Sequence, residues 1–258
     1  MIRQASACVA ACALVLAAPA AAQEHRAWPE RTFVTFDVPF QPLNNDFSES
    51  VSLTDAFVKT EKDAFNAAYG STKGALFDIG AGVRLAGSFG VGVTGSWFRR
   101  SGGATFDLSV PNPLAGNRPR ALSGTAADLN RREIALHVQA LYAVPLGRNA
   151  RVMLSGGPSA FNVKQDLVQS VEFDEAVGFS SIRLNQVLTT GVRGSVAGFN
   201  VGADVTWLLG SHFGVGSTTR YSRANLTMDP GSATSPLTRS IEARAGGLQI
   251  GAGVRVLF

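Results

Sequence analysis

The last eleven residues constrain the chain more tightly than any other stretch. Leu248, Ile250, Ala252, Val254, Val256 and Phe258 fall on one face, and Gln249, Gly251, Gly253, Arg255 and Leu257 on the other. A period of two is the repeat of a β-strand. Seven further segments alternate in the same way, at 31–42, 74–85, 89–100, 131–144, 150–161, 197–209 and 213–222. The connections at 86–88, 145–149 and 210–212 are tight, whereas those at 43–73, 101–130, 162–196 and 223–245 are long. Short turns on one side, long connections on the other and an even strand number describe a transmembrane β-barrel.

The start of the chain agrees with this. Arg3 is followed by an apolar stretch from Ala7 to Ala18, and Ala20-Ala21-Ala22 supplies an A-x-A site. Residues 1–22 therefore read as a secretory signal peptide, and 23–258 as one barrel domain. Both cysteines, Cys8 and Cys12, lie in the leader, so disulfides and thiolate metal sites are excluded from the exported chain. With Arg3 removed, 22 basic residues face 19 acidic ones, a balance too weak to imply a nucleic-acid partner. No later run approaches 18 apolar residues, so no membrane helix is expected.

Residue spacing within the segments gives a ruler. Phe89 and Trp97, Phe213 and Tyr221, Ile134 and Tyr142, Phe199 and Trp207, Phe77 and Leu85, and Ile250 and Phe258 each share a face eight residues apart. Eight residues at about 3.3 Å, tilted by roughly 40°, span about 20 Å, close to the apolar band of a barrel. Phe77, Phe89, Trp97, Tyr142, Trp207, Phe213 and Tyr221 are thus expected to form aromatic girdles. Asp78, Arg84, Glu133, His137, Asp204, Arg220 and Arg255 all fall on the opposite face. A basic side chain pointing into mid-bilayer would cost about 2–4 kcal/mol, so this face is the interior. Gly90, Gly92, Thr94, Gly198, Asn200, Gly202, Gly214, Gly216, Gly251 and Gly253 share it and offer little apolar lining.

An eight-stranded interior is only wide enough for side chains, so its charges should pair. Asp204 with Arg220 across one tight turn is the first expectation, Asp78 with Arg84 a looser one. Asp37 and Arg255 are expected to meet where the first and last strands close the barrel. His137 beside Glu133 has the composition of a general base and its orienter. A histidine bonded into an interior polar network is the favoured reading. His25 and His212 lie elsewhere, and the three histidines make no metal set. No phosphate loop or nucleophile elbow occurs, so neither cofactor nor enzymatic activity is expected. Arg99, Arg132 and Arg223 sit two residues beyond Trp97, Ile134 and Tyr221 on the outward face, and Lys73 four beyond Phe77. That height meets the phosphates of lipopolysaccharide, although interfacial snorkelling explains the same pattern.

The alternation, the turn asymmetry, the leader and the terminal Phe258 together resemble the small outer-membrane β-barrel family, the OmpA transmembrane domain and OmpX type. The resemblance is architectural and carries no unique motif. It implies an all-β, eight-stranded antiparallel up-and-down barrel in a bacterial outer membrane, with periplasmic termini and long extracellular loops. It also implies that Phe258, Val256 and Val254 form an assembly signal for the barrel-assembly machinery, and that the barrel works as a monomer. The periplasmic wall-binding domain that OmpA-like proteins often carry is not expected after Phe258. Three functions fit. The first is a structural or surface-interaction barrel with an extracellular partner and a closed polar interior. The others are a narrow pore for small solutes, as in OmpW-like barrels, and a lipid-modifying enzyme. Several strands are expected to extend beyond the membrane. A ten-stranded variant would use an extra pair near Ser48 to Val58.

Overall fold

The computed structural model describes residues 28, 30–42, 47–54, 62–70, 73–115, 118–228 and 241–258. The proposed signal peptide lies outside these residues. Ten strands are present: β1 (Thr32–Gln41), β2 (Phe47–Thr54), β3 (Lys62–Tyr69), β4 (Gly74–Ala86), β5 (Phe89–Val110), β6 (Arg120–Leu146), β7 (Ala150–Glu175), β8 (Ile182–Leu208), β9 (Phe213–Met228) and β10 (Ile241–Leu257). Eight of them form a closed antiparallel ring in the order β1-β4-β5-β6-β7-β8-β9-β10, with β10 paired back to β1. The ring is eight-stranded and not ten. β2 and β3 form a hairpin whose inner strand pairs with the upper part of β5, from Ala64 opposite Ser109 to Tyr69 opposite Ala104. Above the membrane this hairpin occupies the place that β1 and β4 leave.

The seam between β1 and β10 shows why glycine recurs inside. Gly253 lies opposite Asp37, and a Cβ there would come within 1.9 Å of the Phe36 carbonyl oxygen. Only a residue without a side chain allows these two backbones to approach so closely. Phe258 completes the closure: its N–H donates to the Thr32 carbonyl at 2.9 Å, and its carbonyl accepts from the Arg31 N–H at 2.8 Å.

The long connections expected as loops are mostly strand. β5 and β6 run 22 and 27 residues, and β7 and β8 run 26 and 27, where about 9–11 suffice to cross a membrane. From the level of Lys164, β7 climbs to Glu175, which adds roughly 28 Å above the rim at 3.3 Å per residue and 40° tilt.

Polarity inverts along the barrel axis. In the lower part the large apolar side chains face outward and are exposed, among them Phe36, Phe77, Phe89, Trp97, Val138, Trp207, Phe213 and Ile250. In the upper part they face inward and are buried: Phe65, Phe106, Leu129, Phe161, Val163, Leu167, Leu226, Met228 and Ile241 belong to one core. The lower part is built for lipid outside, and the upper part for water outside.

Candidate functional site

The interior is stacked in layers, and each layer bears on whether anything passes through. At the periplasmic mouth Trp28, Phe33, Leu141, Ala143, Met153 and Leu257 pack together as a small apolar plug. Trp28 and Glu30 precede β1 and fold into the mouth. Glu30 pairs with Arg151, whose guanidinium lies 5.8 Å from the ring centroids of both Trp28 and Phe33. This plug and its ion pair were not foreseen. Inward Leu141 and Met153 show as apolar positions in the alternation, but the residues before β1 carry no periodic signal.

Above the plug lie two buried ion-pair centres. Arg255 is 1% exposed and donates from Nη1 to Asp37 Oδ1 at 2.7 Å, and from Nη2 to Asp204. Arg220 donates to Asp78 Oδ2 at 2.6 Å, to Ser96 Oγ at 2.9 Å and through Nε to Gln249 Oε1 at 2.8 Å. The expected pairing of Asp37 with Arg255 is present. The pairing of Asp204 with Arg220 is not, because Asp204 lies opposite Thr218 whereas Arg220 lies opposite Gly202. Both arginines reach past the neighbouring strand for a carboxylate: Arg220 on β9 meets Asp78 on β4, and Arg255 on β10 meets Asp204 on β8. Glycines opposite make the room: a Cβ on Gly216 would lie 3.0 Å from Arg255 Nη2. Nor does Asp78 pair with Arg84, which donates to the Trp28 carbonyl at the mouth.

A layer of neutral hydrogen bonds follows. Gln139 Nε2 donates to Asn200 Oδ1 at 2.8 Å, Thr94 Oγ1 donates to Gln139 Oε1 at 3.1 Å, and Asn200 Nδ2 donates to Ser159 Oγ at 2.9 Å. His137 is fully buried, with Nδ1 2.7 Å from Ser159 Oγ and its ring edge-on to Phe161. Glu133 is engaged elsewhere: it accepts from Arg131 Nη2 at 3.1 Å and from the Gly246 N–H at 2.8 Å. No hydrogen bond joins His137 to Glu133 among the described residues, so the suggested acid–base couple is not assembled.

A cavity of about 60 Å³ lies between the ion-pair centres, lined by Asp37, Asp78, Thr94, Arg151, Asp204 and Arg220 among others. It is polar and holds a few waters at most. Higher still, the Tyr69 hydroxyl donates to Glu49 at 3.1 Å and accepts from the Val168 N–H at 3.0 Å, tying β2 and β3 to β7 across the extension. Plug, ion pairs, amide layer and apolar core thus follow one another up the interior.

On the outer surface Phe77, Phe89, Trp97, Tyr142, Trp207 and Phe213 are exposed, and Tyr221 is half-exposed beside Phe199. Val254 and Phe258 are exposed and Val256 half-buried, all on the same face of β10. Lys73, Arg99 and Arg132 are exposed and Arg223 half-exposed. Arg99 lies directly opposite Arg132, and Arg223 opposite Phe199. Two further outward cations, Lys164 and Arg193, were missed because they fall in a stretch read as loop. Among the described residues no group of three or more His, Cys, Asp or Glu is placed to hold a metal.

No family profile matches the chain, and no curated protein sequence matches it. Among solved structures the chain is similar to the outer-membrane protein OprG of Pseudomonas aeruginosa, with 10% identity over 89% of this chain and 96% of that one and a TM-score of 0.49. It is similar to Neisserial surface protein A at 14% identity over 88% and 97%, TM-score 0.41. The outer-membrane protease OmpT of Escherichia coli overlaps at 10% identity over 92% and 99%, TM-score 0.45. These overlaps are too slight to bear on role, and the fold stands on the ring of strands itself. A closed antiparallel ring of eight strands with an apolar outer band is the architecture of a bacterial outer-membrane protein.

Proposed function

We propose that this barrel is a non-enzymatic, monomeric outer-membrane protein that acts at the cell surface through the sheet it raises above the bilayer. The carrying observation is the extension. From Ile182 to Gly198, β8 pairs with β7 but, among the described residues, with no strand on its other side. A long strand edge with unpaired backbone groups is a template for an extended partner segment. The layers of packed side chains in the interior support the same reading against a pore. Phe258, Val256 and Val254 are the residues that would engage the assembly machinery, and Arg99, Arg132, Arg223 and Lys73 those that would meet lipopolysaccharide.

The test has two arms. The purified chain in planar bilayers is expected to give no steady conductance; stable openings altered by Arg220→Ala would overturn the closed barrel. Cells displaying the chain should adhere to protein-coated surfaces more than cells displaying a variant whose β7–β8 hairpin is shortened by residues 170–188. Equal adherence would overturn the hairpin as the contact element. Lipid analysis by mass spectrometry addresses catalysis: a lipid change that vanishes in His137→Ala would restore the enzyme reading.

A further inference from the structure

Four cations stand in a single cross-strand row on the outer wall. Arg99 of β5 is opposite Arg132 of β6, Arg132 opposite Lys164 of β7, and Lys164 opposite Arg193 of β8. All four are exposed. Directly opposed residues bring their Cβ atoms to about 4.5–5.5 Å, and like charges so placed are destabilising. Three such like-charge contacts follow one another. None of the four has an ion-pair partner among the described residues. One carboxylate stands beside the row: Asp166, two positions above Lys164 on the same face, whose Oδ1 adjoins Gly191 as Lys164 Nζ does, also accepts from the Asn130 N–H at 3.0 Å, so the row keeps an excess of three positive charges. A row of this kind persists at a cost in stability unless an external anion neutralises it.

The row is not level. It runs perpendicular to strands that tilt by roughly 40°, so each step of about 4.8 Å climbs about 3 Å, or some 9 Å over three steps. Aromatic positions on the same strands give the direction. Arg99 is two residues above Trp97, whereas Arg193 is six above Phe199. Arg99 therefore lies at the membrane rim and Arg193 well above it. A phospholipid carries its phosphate at one depth and would satisfy only the lowest step. A ligand that fits all four carries several anionic groups stacked along the membrane normal.

We infer that this ladder binds the headgroup of a polyanionic glycolipid of the outer leaflet, lipopolysaccharide, with its lower phosphate at Arg99 and Arg132 and its inner-core phosphates or carboxylates at Lys164 and Arg193. The inference rests on the proposed contact between rim and lipopolysaccharide and assigns that contact to the β5–β8 wall. Arginine suits this task through its forked donors. Strand pairing fixes the spacing of the row, so the site is set by the barrel wall and not by a loop.

The full-length chain, refolded in micelles, tests this with four probes: deep-rough lipopolysaccharide, its dephosphorylated form, phosphatidylglycerol and inorganic phosphate. Removing all four charges (R99Q, R132Q, K164Q and R193Q together) should raise the thermal midpoint in zwitterionic detergent, because like-charge repulsion is relieved. The same variant should have a lower midpoint than the parent in lipopolysaccharide. A purely structural role would give the same sign in both. The pair K164Q and R193Q should weaken lipopolysaccharide binding at least tenfold and leave phosphatidylglycerol binding unchanged, a larger loss than R223Q alone gives, whereas R148Q in a periplasmic turn should leave both unchanged. If R223Q costs as much as the pair, the lipid wraps the whole rim; the ladder is then overturned while rim binding stands. If none of these variants changes lipopolysaccharide binding, rim binding and ladder fall together. Equal stabilisation by inorganic phosphate would overturn the stacked-headgroup geometry.

Discussion

Arg255 holds two carboxylates, one on the first strand of the ring and one on β8. Removing it leaves Asp37 and Asp204 without their partner, and an uncompensated buried charge costs about 3–5 kcal/mol. Arg255→Met should therefore lower the stability measured by urea unfolding in micelles by about that amount. Asp204→Asn should cost less, because Asp204 keeps the Thr206 hydroxyl as a partner at 2.7 Å and its side chain is partly accessible. Arg220→Met should behave like Arg255→Met, and adding Asp78→Leu should recover part of the loss. The inward placement of these charges was legible in the sequence, because alternation fixes the face. The partners were not. Asp204 and Arg220 are close along the chain, but register puts glycine opposite Arg220 and sends its guanidinium across the lumen to Asp78.

The upper strands show how one sheet can be clear below the rim and hidden above it. Below, apolar residues face out in an unbroken period of two. Above, they face in, and β6 inserts an extra residue near Asp128, whose φ is +57°. Gly102 lies opposite Leu129, yet two residues on, Ala104 lies opposite Ala126. The change of face by itself moves the apolar set of β5 from Phe89, Val91, Val93 and Trp97 to Ala104, Phe106 and Leu108, and the extra residue offsets that shift in β6, so the alternation breaks and the stretch reads as loop. A second bulge, between Val168 and Ser170 of β7, breaks the register again higher up. Lys164 and Arg193 lie below that bulge, at the level where Phe161 and Val163 have already turned inward, so the change of face is what hid them. Pairing also predicts dynamics. Residues 182–198 of β8 have β7 on one side only, whereas Phe199–Leu208 lie between β7 and β9. Native-state hydrogen exchange should show the upper stretch exchanging faster by at least tenfold. Equal protection would mean that the free edge is covered.

The inversion of polarity ties the parts into one object. Among the described residues the apolar outer band lies below the arginine rim, and the main apolar core lies above it, the small plug at the mouth apart. Sliding the barrel outward would expose Phe77 and Trp97 to water, and sliding it inward would push Arg99 and Arg132 into hydrocarbon. Its depth in the membrane is thereby fixed. Brominated lipids should quench Trp97 and Trp207 from opposite leaflets, and substituting Lys164 and Arg193, which stand above the rim, should not change the depth profile. One consequence of the ion pairs is temporal. Asp37 and Arg255 are separated by 218 positions and join the two strands that close the ring. A chain shortened before Arg255 would carry Asp37 and Asp204 into the lumen without the guanidinium that pairs with both, whatever the quality of its other strands. The bond therefore belongs to the last step of closure, since it forms only once β10 lies beside β1.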